Sequence, residues 1–310
     1  MSRHTFFALL VLGILIGAAT SALAASPSRN GPIAYAWSKE VAEDDQLVRY
    51  SAGIDVVGPR GGASRTVAGC TETVAEAFPP STSCTLESFG SPAFSPGASR
   101  IAFDHGVSIA LVNADGTGDL RLLPPNREDD GEPAFSPTGE RLVFSAGTSV
   151  SKPSGIQRAI WVRSVDGTMP PRQLSPRGSD PVWSRRNVIA FVRSGEIWVV
   201  RPSGRGLRQV TGGGGFAPTW SPDGTRIAFS RHGTIFVFDF RAQRLIRAAR
   251  GAGAVGLACS PDGRRFAVNA YRRGLQTIDA HGNDLHELVA GDREERYSFG
   301  HRGIDWAPRR

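Results

Sequence analysis

The sequence predicts an all-β chain folded as a six-bladed β-propeller of four-stranded antiparallel blades, with one blade closed by both termini. Three observations predict it. A short frame recurs five times in register, each copy is followed by two further short apolar runs, and the chain ends hold the missing parts of a sixth copy.

The frame reads SPAFSPGASRIAF (91–103), EPAFSPTGERLVF (132–144), DPVWSRRNVIAF (180–191), APTWSPDGTRIAF (217–229) and VGLACSPDGRRFAV (255–268). From Phe94, Phe135, Trp220 or Cys259 to the closing apolar residue the interval is nine positions; from Trp183 it is eight. The turn residues between the two apolar stretches make each frame a pair of short strands. A third run follows in each unit, SIALVN, AIWVRS, EIWVVR, TIFVFD and LQTIDA, then a turn such as Asp115-Gly116 or Asp166-Gly167. A fourth closes it, as in LRLL, PRQLS, LRQVT and LHELV. After the N-terminal stretch apolar residues recur in alternation or in threes, and Gly and Pro are frequent, so helices have little support.

The sixth unit is split. GIDWAPRR at the C-terminus matches a first strand, GPIAYA (31–36) a second, and IDVVGPRGGASRTVAG supplies the third and fourth. Stitching one blade from both termini closes the ring and leaves it without an open edge. Spacings of 41, 48, 37, 39 and 47 between Phe94, Phe135, Trp183, Trp220, Cys259 and Trp306 suit blades of about 40 residues.

The frame Pro-x-Trp-Ser-Pro-Asp-Gly-x-x-Ile-Ala-Phe resembles the WD40-like (PD40) repeats of the TolB family of bacterial exported propellers. The resemblance covers nearly all of the chain after residue 24. It implies an exported propeller, without the α/β domain that precedes the propeller in TolB, since about eight residues separate the expected cleavage site from Ile33. Related repeats precede serine peptidases of the prolyl oligopeptidase type. No Gly-x-Ser-x-Gly elbow is present here.

Before the first strand, Arg3 and His4 lead an apolar run from Phe6 to Ala19 and the small-residue site Ala22-Leu23-Ala24. That pattern is a signal peptide, residues 1–24, followed by the propeller domain, 25–310; an uncleaved anchor is the alternative. The expected location is periplasmic, extracellular or cell-envelope. In such a compartment cysteines pair, and Cys70 and Cys84 bracket a stretch without periodicity, so a disulfide between them is expected. Cys259 sits among apolar neighbours and reads as a buried strand thiol.

Thirty-six Lys plus Arg against twenty-nine Asp plus Glu give a net charge of +7, and only Lys39 and Lys152 are lysines. Guanidinium groups bind carboxylate and phosphate bidentately, so a basic face could hold an anionic envelope polymer. No nucleic-acid motif accompanies the charge, and a monomer is expected.

Connections after strands one and three of a meander emerge on one face, those after strands two and four on the other. All long insertions fall on the second: 37–52, 70–90, 126–132, 146–158 and 291–302. That loop face is the candidate binding surface for a protein or peptide, or for an envelope glycan. It is two-signed, with Glu128, Asp129 and Asp130 on one side and Arg272 and Arg273 across the ring. No cofactor is expected, although Glu128-Asp129-Asp130 offers clustered oxygens that a Ca2+ could use. His105 and His232 read as equivalent residues of two turns between strands two and three. No catalytic constellation appears, so the expected function is non-enzymatic binding, with a channel-sited lyase or hydrolase as the alternative.

Overall fold

The computed structural model describes residues 30–42, 47–75, 89–127, 129–150, 155–249, 253–270, 274–290 and 303–308. They form six four-stranded antiparallel meanders, and no helix occurs among them. The first blade contains Ile33–Ala42 (β1), Leu47–Val57 (β2) and Arg65–Ala75 (β3). Blade 2 is Phe89–Phe94 (β4), Arg100–His105 (β5), Ser108–Asn113 (β6) and Arg121–Leu122 (β7). Blade 3 is Asp129–Phe135 (β8), Arg141–Val150 (β9), Gly155–Ser164 (β10) and Arg172–Ser175 (β11). Blade 4 follows with Ser179–Trp183 (β12), Ile189–Arg193 (β13), Glu196–Val200 (β14) and Arg208–Gln209 (β15). Blade 5 is Phe216–Trp220 (β16), Arg226–Arg231 (β17), Thr234–Asp239 (β18) and Arg244–Ala249 (β19). Blade 6 is Ala254–Cys259 (β20), Arg265–Ala270 (β21), Gly274–Asp279 (β22) and His286–Ala290 (β23). Ile304–Trp306 (β24) then pairs with β1, Ile33 opposite Trp306, as the innermost strand of blade 1.

The apolar triplets follow from this packing. Each second strand is covered on both sides, so its residues face two neighbouring blades alternately. Six apolar clusters fill the six junctions. Phe103, Phe144, Phe191 and Phe229 occupy the same place in blades 2 to 5 and are fully buried. Trp220 packs between blades 4 and 5, stacked on Phe240 at 5.5 Å and donating Nε1–H to the Val182 carbonyl at 3.2 Å.

The Pro-Asp-Gly turn is built by Asp223. Its carboxylate accepts from Ser221 Oγ at 2.6 Å and from the Thr225 amide at 3.1 Å, and Gly224 takes the positive φ of 66° that the turn requires. Those hydrogen bonds, led by the one from Ser221, hold the carboxyl down at about 2.

Two expectations change. Residues 37–42, 47–52, 146–150 and 155–158 are strand, not the loops that their polar sequence suggests. The hairpins β1–β2 and β9–β10 run on past the blade body, pairing as far as Ala42 with Val48 and Val150 with Gly155. Strand β3 accompanies the first, Leu47 opposite Ala75. Nor does the opposite face carry only tight turns: residues 114–120, 165–171 and 201–207 lead into the outer strands of blades 2, 3 and 4.

Candidate functional site

The innermost strands surround a central cavity of about 430 Å3. Ser91, Glu132, Asp180 and Ala217 line its loop-face end, and Arg185 and Pro222 its turn-face end. The first four share a backbone conformation that follows from the frame. Each precedes the proline of its copy, and each has a positive φ, 42°, 55°, 52° and 48° in that order. At each the ladder to the second strand slips by one residue, a β-bulge. Proline at the next position donates no hydrogen bond, which suits a strand edge facing an open channel. Side chains here are held in an unfavourable backbone region by packed blades on either side, as at many ligand sites.

Polar side chains around the channel link neighbouring blades. Phe94 donates its amide to Asp305 Oδ2 at 2.7 Å, Glu132 to Asp104 Oδ1 at 2.6 Å, and Asp180 to Glu132 Oε2 at 2.6 Å. Farther round, Cys259 donates to Thr219 Oγ1 at 3.2 Å, and Asn30 and Asp262 exchange two hydrogen bonds across the blade 6 to blade 1 junction. Burial pushes the Asp305 carboxyl up to about 7. Burial first, and the neighbouring Glu132 charge second, push Asp104 to about 7 as well. The channel mouth at blades 2 to 4 is therefore an acidic arc.

Arg158 on β10 faces that arc. It donates to Ser145 Oγ at 2.7 Å and pairs with Asp129, while Ser145 donates to Glu132 Oε2 at 2.8 Å. Asp129, expected on an open loop, is thus a half-buried member of β8. Asp130 is buried, accepting the amides of Asn126 at 2.6 Å and Arg127 at 3.1 Å, and its carboxyl is raised by that burial. Its carboxylate closes the turn that enters β8. Glu128, Arg272, Arg273 and Cys84 lie outside the described residues, as do residues 1–29; Cys70 lies on β3.

The two histidines are not equivalent. In blade 2 His105 pairs with Ser108 across a Gly106-Val107 turn, whereas in blade 5 Arg231 pairs with Thr234 across His232-Gly233. His105 therefore corresponds to Arg231, and the sequence alignment was one residue out. His105 is half-buried, edge-on to Phe89 at 5.2 Å; His232 is an exposed turn residue with φ of 48°. Arg231 donates Nε–H to the Gly214 carbonyl at 2.8 Å and stacks over Phe229 and Phe236. Among the described residues no group of three or more His, Cys, Asp or Glu is arranged to hold a metal ion.

Sequence reasoning missed the four residues before the prolines. The signal was available: the proline stays while the residue before it changes from Ser to Glu, Asp and Ala, the mark of a scaffold position presenting a variable group.

No protein-family model matches the sequence, and no curated protein does. Solved structures do resemble the fold. TolB from Acinetobacter baumannii aligns at 20% identity over 90% of this chain and 67% of that one, with a TM-score of 0.61. A chain from a nidogen/laminin complex aligns at 12% identity over 88% and 98%, with a TM-score of 0.59. XC5397, a gluconolactonase from Xanthomonas campestris, aligns at 16% identity over 72% and 86%, with a TM-score of 0.54. At these identities the likeness is one of fold: the chain is a TolB-like six-bladed propeller, an architecture shared by proteins with different tasks.

Proposed function

We propose that this protein is an exported, non-enzymatic propeller that binds a protein or peptide partner on its loop face, between the two projecting hairpins and over the channel mouth. The observation that supports this reading is the pair of hairpins themselves. Beyond the pair Trp37 with Gly53, the β1–β2 hairpin continues through five further pairs, and β9–β10 through four beyond Ala146 with Ala159. At about 3.3 Å per residue the extra pairs carry the two hairpins roughly 13–17 Å beyond the blade body. The similarity to TolB and to a chain of a nidogen/laminin complex supports a binding scaffold, and the apolar N-terminal run supports export. The acidic arc between the hairpins favours a partner carrying basic side chains there.

The test trims one hairpin. Replacing residues 149–156 by Asn-Gly closes β9–β10 with a two-residue turn and leaves Arg158 in place. Cross-linking in envelope extract followed by mass spectrometry should recover a partner with the parent protein and lose it with the trimmed one, at matched thermal stability. Equal recovery from both would sink the assignment.

A further inference from the structure

We propose that the turn face of blades 4 and 5 docks on an anionic lipid surface. Six arginines gather there: Arg201, Arg205 and Arg208 from blade 4, and Arg226, Arg241 and Arg244 from blade 5. Against them stand Asp223 and Asp239. Both carboxyls are held below their usual range, Asp223 mainly by Ser221 and Asp239 mainly by the Ala242 amide, so both stay charged at neutral pH and the excess of positive charge is real. Asp239 is already paired with Arg226 at 3.1 Å.

The six form one patch. Arg208 stacks over Phe240 at 5.3 Å, which brings the 201–208 connection against the 240–244 connection of the next blade. Other turn-face arginines are used internally: Arg172 donates to the Pro202 and Ser203 carbonyls, and Arg186 to the Asp223 carbonyl at 2.8 Å. The side chains of Arg201, Arg205, Arg241 and Arg244 are exposed and make no hydrogen bond or ion pair among the described residues. They are charged groups with no work inside the fold.

What selects a lipid surface over a soluble polyanion is the apolar company. Leu207, Leu245 and Ile246 are 39%, 41% and 38% exposed and alternate with those arginines along the same rim. Of the other large exposed apolar side chains, Leu120, Met169 and Leu285 lie on the corresponding connections of blades 2, 3 and 6 and Leu122 just beyond the first of them, while Val107 lies in the β5–β6 turn on the opposite face. A dissolved polymer would leave those on the rim in water; a headgroup layer takes both charges and aliphatic groups. The orientation agrees. Asn30 is bonded to Asp262, in the turn-face turn of blade 6, so the chain leaves the propeller on this side. Docked in this way, the propeller turns its projecting hairpins away from the bilayer.

Flotation of the full chain with phosphatidylglycerol-containing and pure phosphatidylcholine vesicles tests the proposal, because binding by the apolar run is common to both and cancels in the difference. The expected result is a preference for phosphatidylglycerol that weakens with salt and falls about tenfold or more in R201Q/R205Q/R244Q. The variant R60Q/R121Q/R177Q, with the same loss of charge elsewhere, should keep it. The variant L245S/I246S should lower vesicle binding without changing capture of polyphosphate. No lipid preference, equal loss in both arginine variants, or polyphosphate binding with no effect of L245S/I246S would overturn the proposal. Circular dichroism and thermal unfolding of each variant confirm that the surface changes leave the fold intact.

Discussion

Two carboxylates, Asp55 buried and Asp305 half-buried, show how far a residue's surroundings decide its role. Asp55 in blade 1 accepts from Tyr35, Trp37, Ser64 and Thr66, a carboxylate fully committed to its blade. Asp305 lines the cavity, and the backbone amides of Phe94 and Trp306 are what hold its charge. Burial outweighs them and raises its carboxyl from 3.8 to about 7. The folded protein therefore binds this proton more tightly than the unfolded chain does. The associated stability is fully present below about pH 4 and is lost as pH rises through about 7. Asp305→Asn keeps an acceptor for the Phe94 amide while removing the charge. Its melting temperature should exceed the parent's by a few degrees at pH 8 and match it near pH 4; an offset independent of pH would show that the carboxyl is not the cause. Cys259 gives the complementary case. Desolvation pushes its thiol up to about 12, leaving it protonated at neutral pH; it holds the strand position its apolar neighbours predict but is half-buried beside the cavity instead of fully buried.

At the scale of the element, the approach to each innermost strand is where geometry is tightest. Gly178, two residues before Asp180, has a φ of 151°, and a Cβ there would lie 2.6 Å from Phe191 Cδ2 and 2.8 Å from Ile160 Cγ1. Gly215 holds the matching place in blade 5, where a Cβ would lie 2.9 Å from Phe229. Gly178→Ala should destabilise by about 2 kcal/mol or more, because packed core atoms must move and the backbone is strained. Gly97→Ala, in open space, should stay within about 0.5 kcal/mol in the same denaturant titration; equal effects would refute the packing argument. The blade bodies were legible in the sequence because two-sided burial writes apolar triplets such as Ile227 to Phe229. The projecting hairpins were not, since SKEVA and TSVSKPSGIQ lack the alternation that marks a half-buried strand and read like loops. His105 and His232 both precede a glycine and so read as equivalent, although the two-residue turn begins after the histidine in blade 2 and with it in blade 5.

Across the whole molecule, the ring is closed by three residues. β24 covers the edge of β1, Trp306 donates Nε1–H to the Gly31 carbonyl at 2.8 Å, and its ring is 5% exposed in the cluster joining blades 6 and 1. This closure was readable because GIDWAP repeats a frame whose partner strand lies at the other end of the chain. What the frame could not reveal is the division of labour between the faces, for charge on a turn depends on which blades stand side by side. Closure also decides how the two faces hold their positions relative to each other. Removing residues 303–310 would uncover the β1 edge together with the apolar cluster beneath it, an open strand suited to pairing with another chain. Size-exclusion chromatography with light scattering should show the truncated chain associating, and its thermal transition should broaden or disappear. Trp306→Phe retains much of the ring packing and gives up the bond to Gly31, so it should remain a cooperative monomer weakened by about 1 kcal/mol. A truncated chain that stays monomeric with an unchanged transition would mean that blade 1 stands without its fourth strand, and that the ring is held by its inter-blade contacts alone.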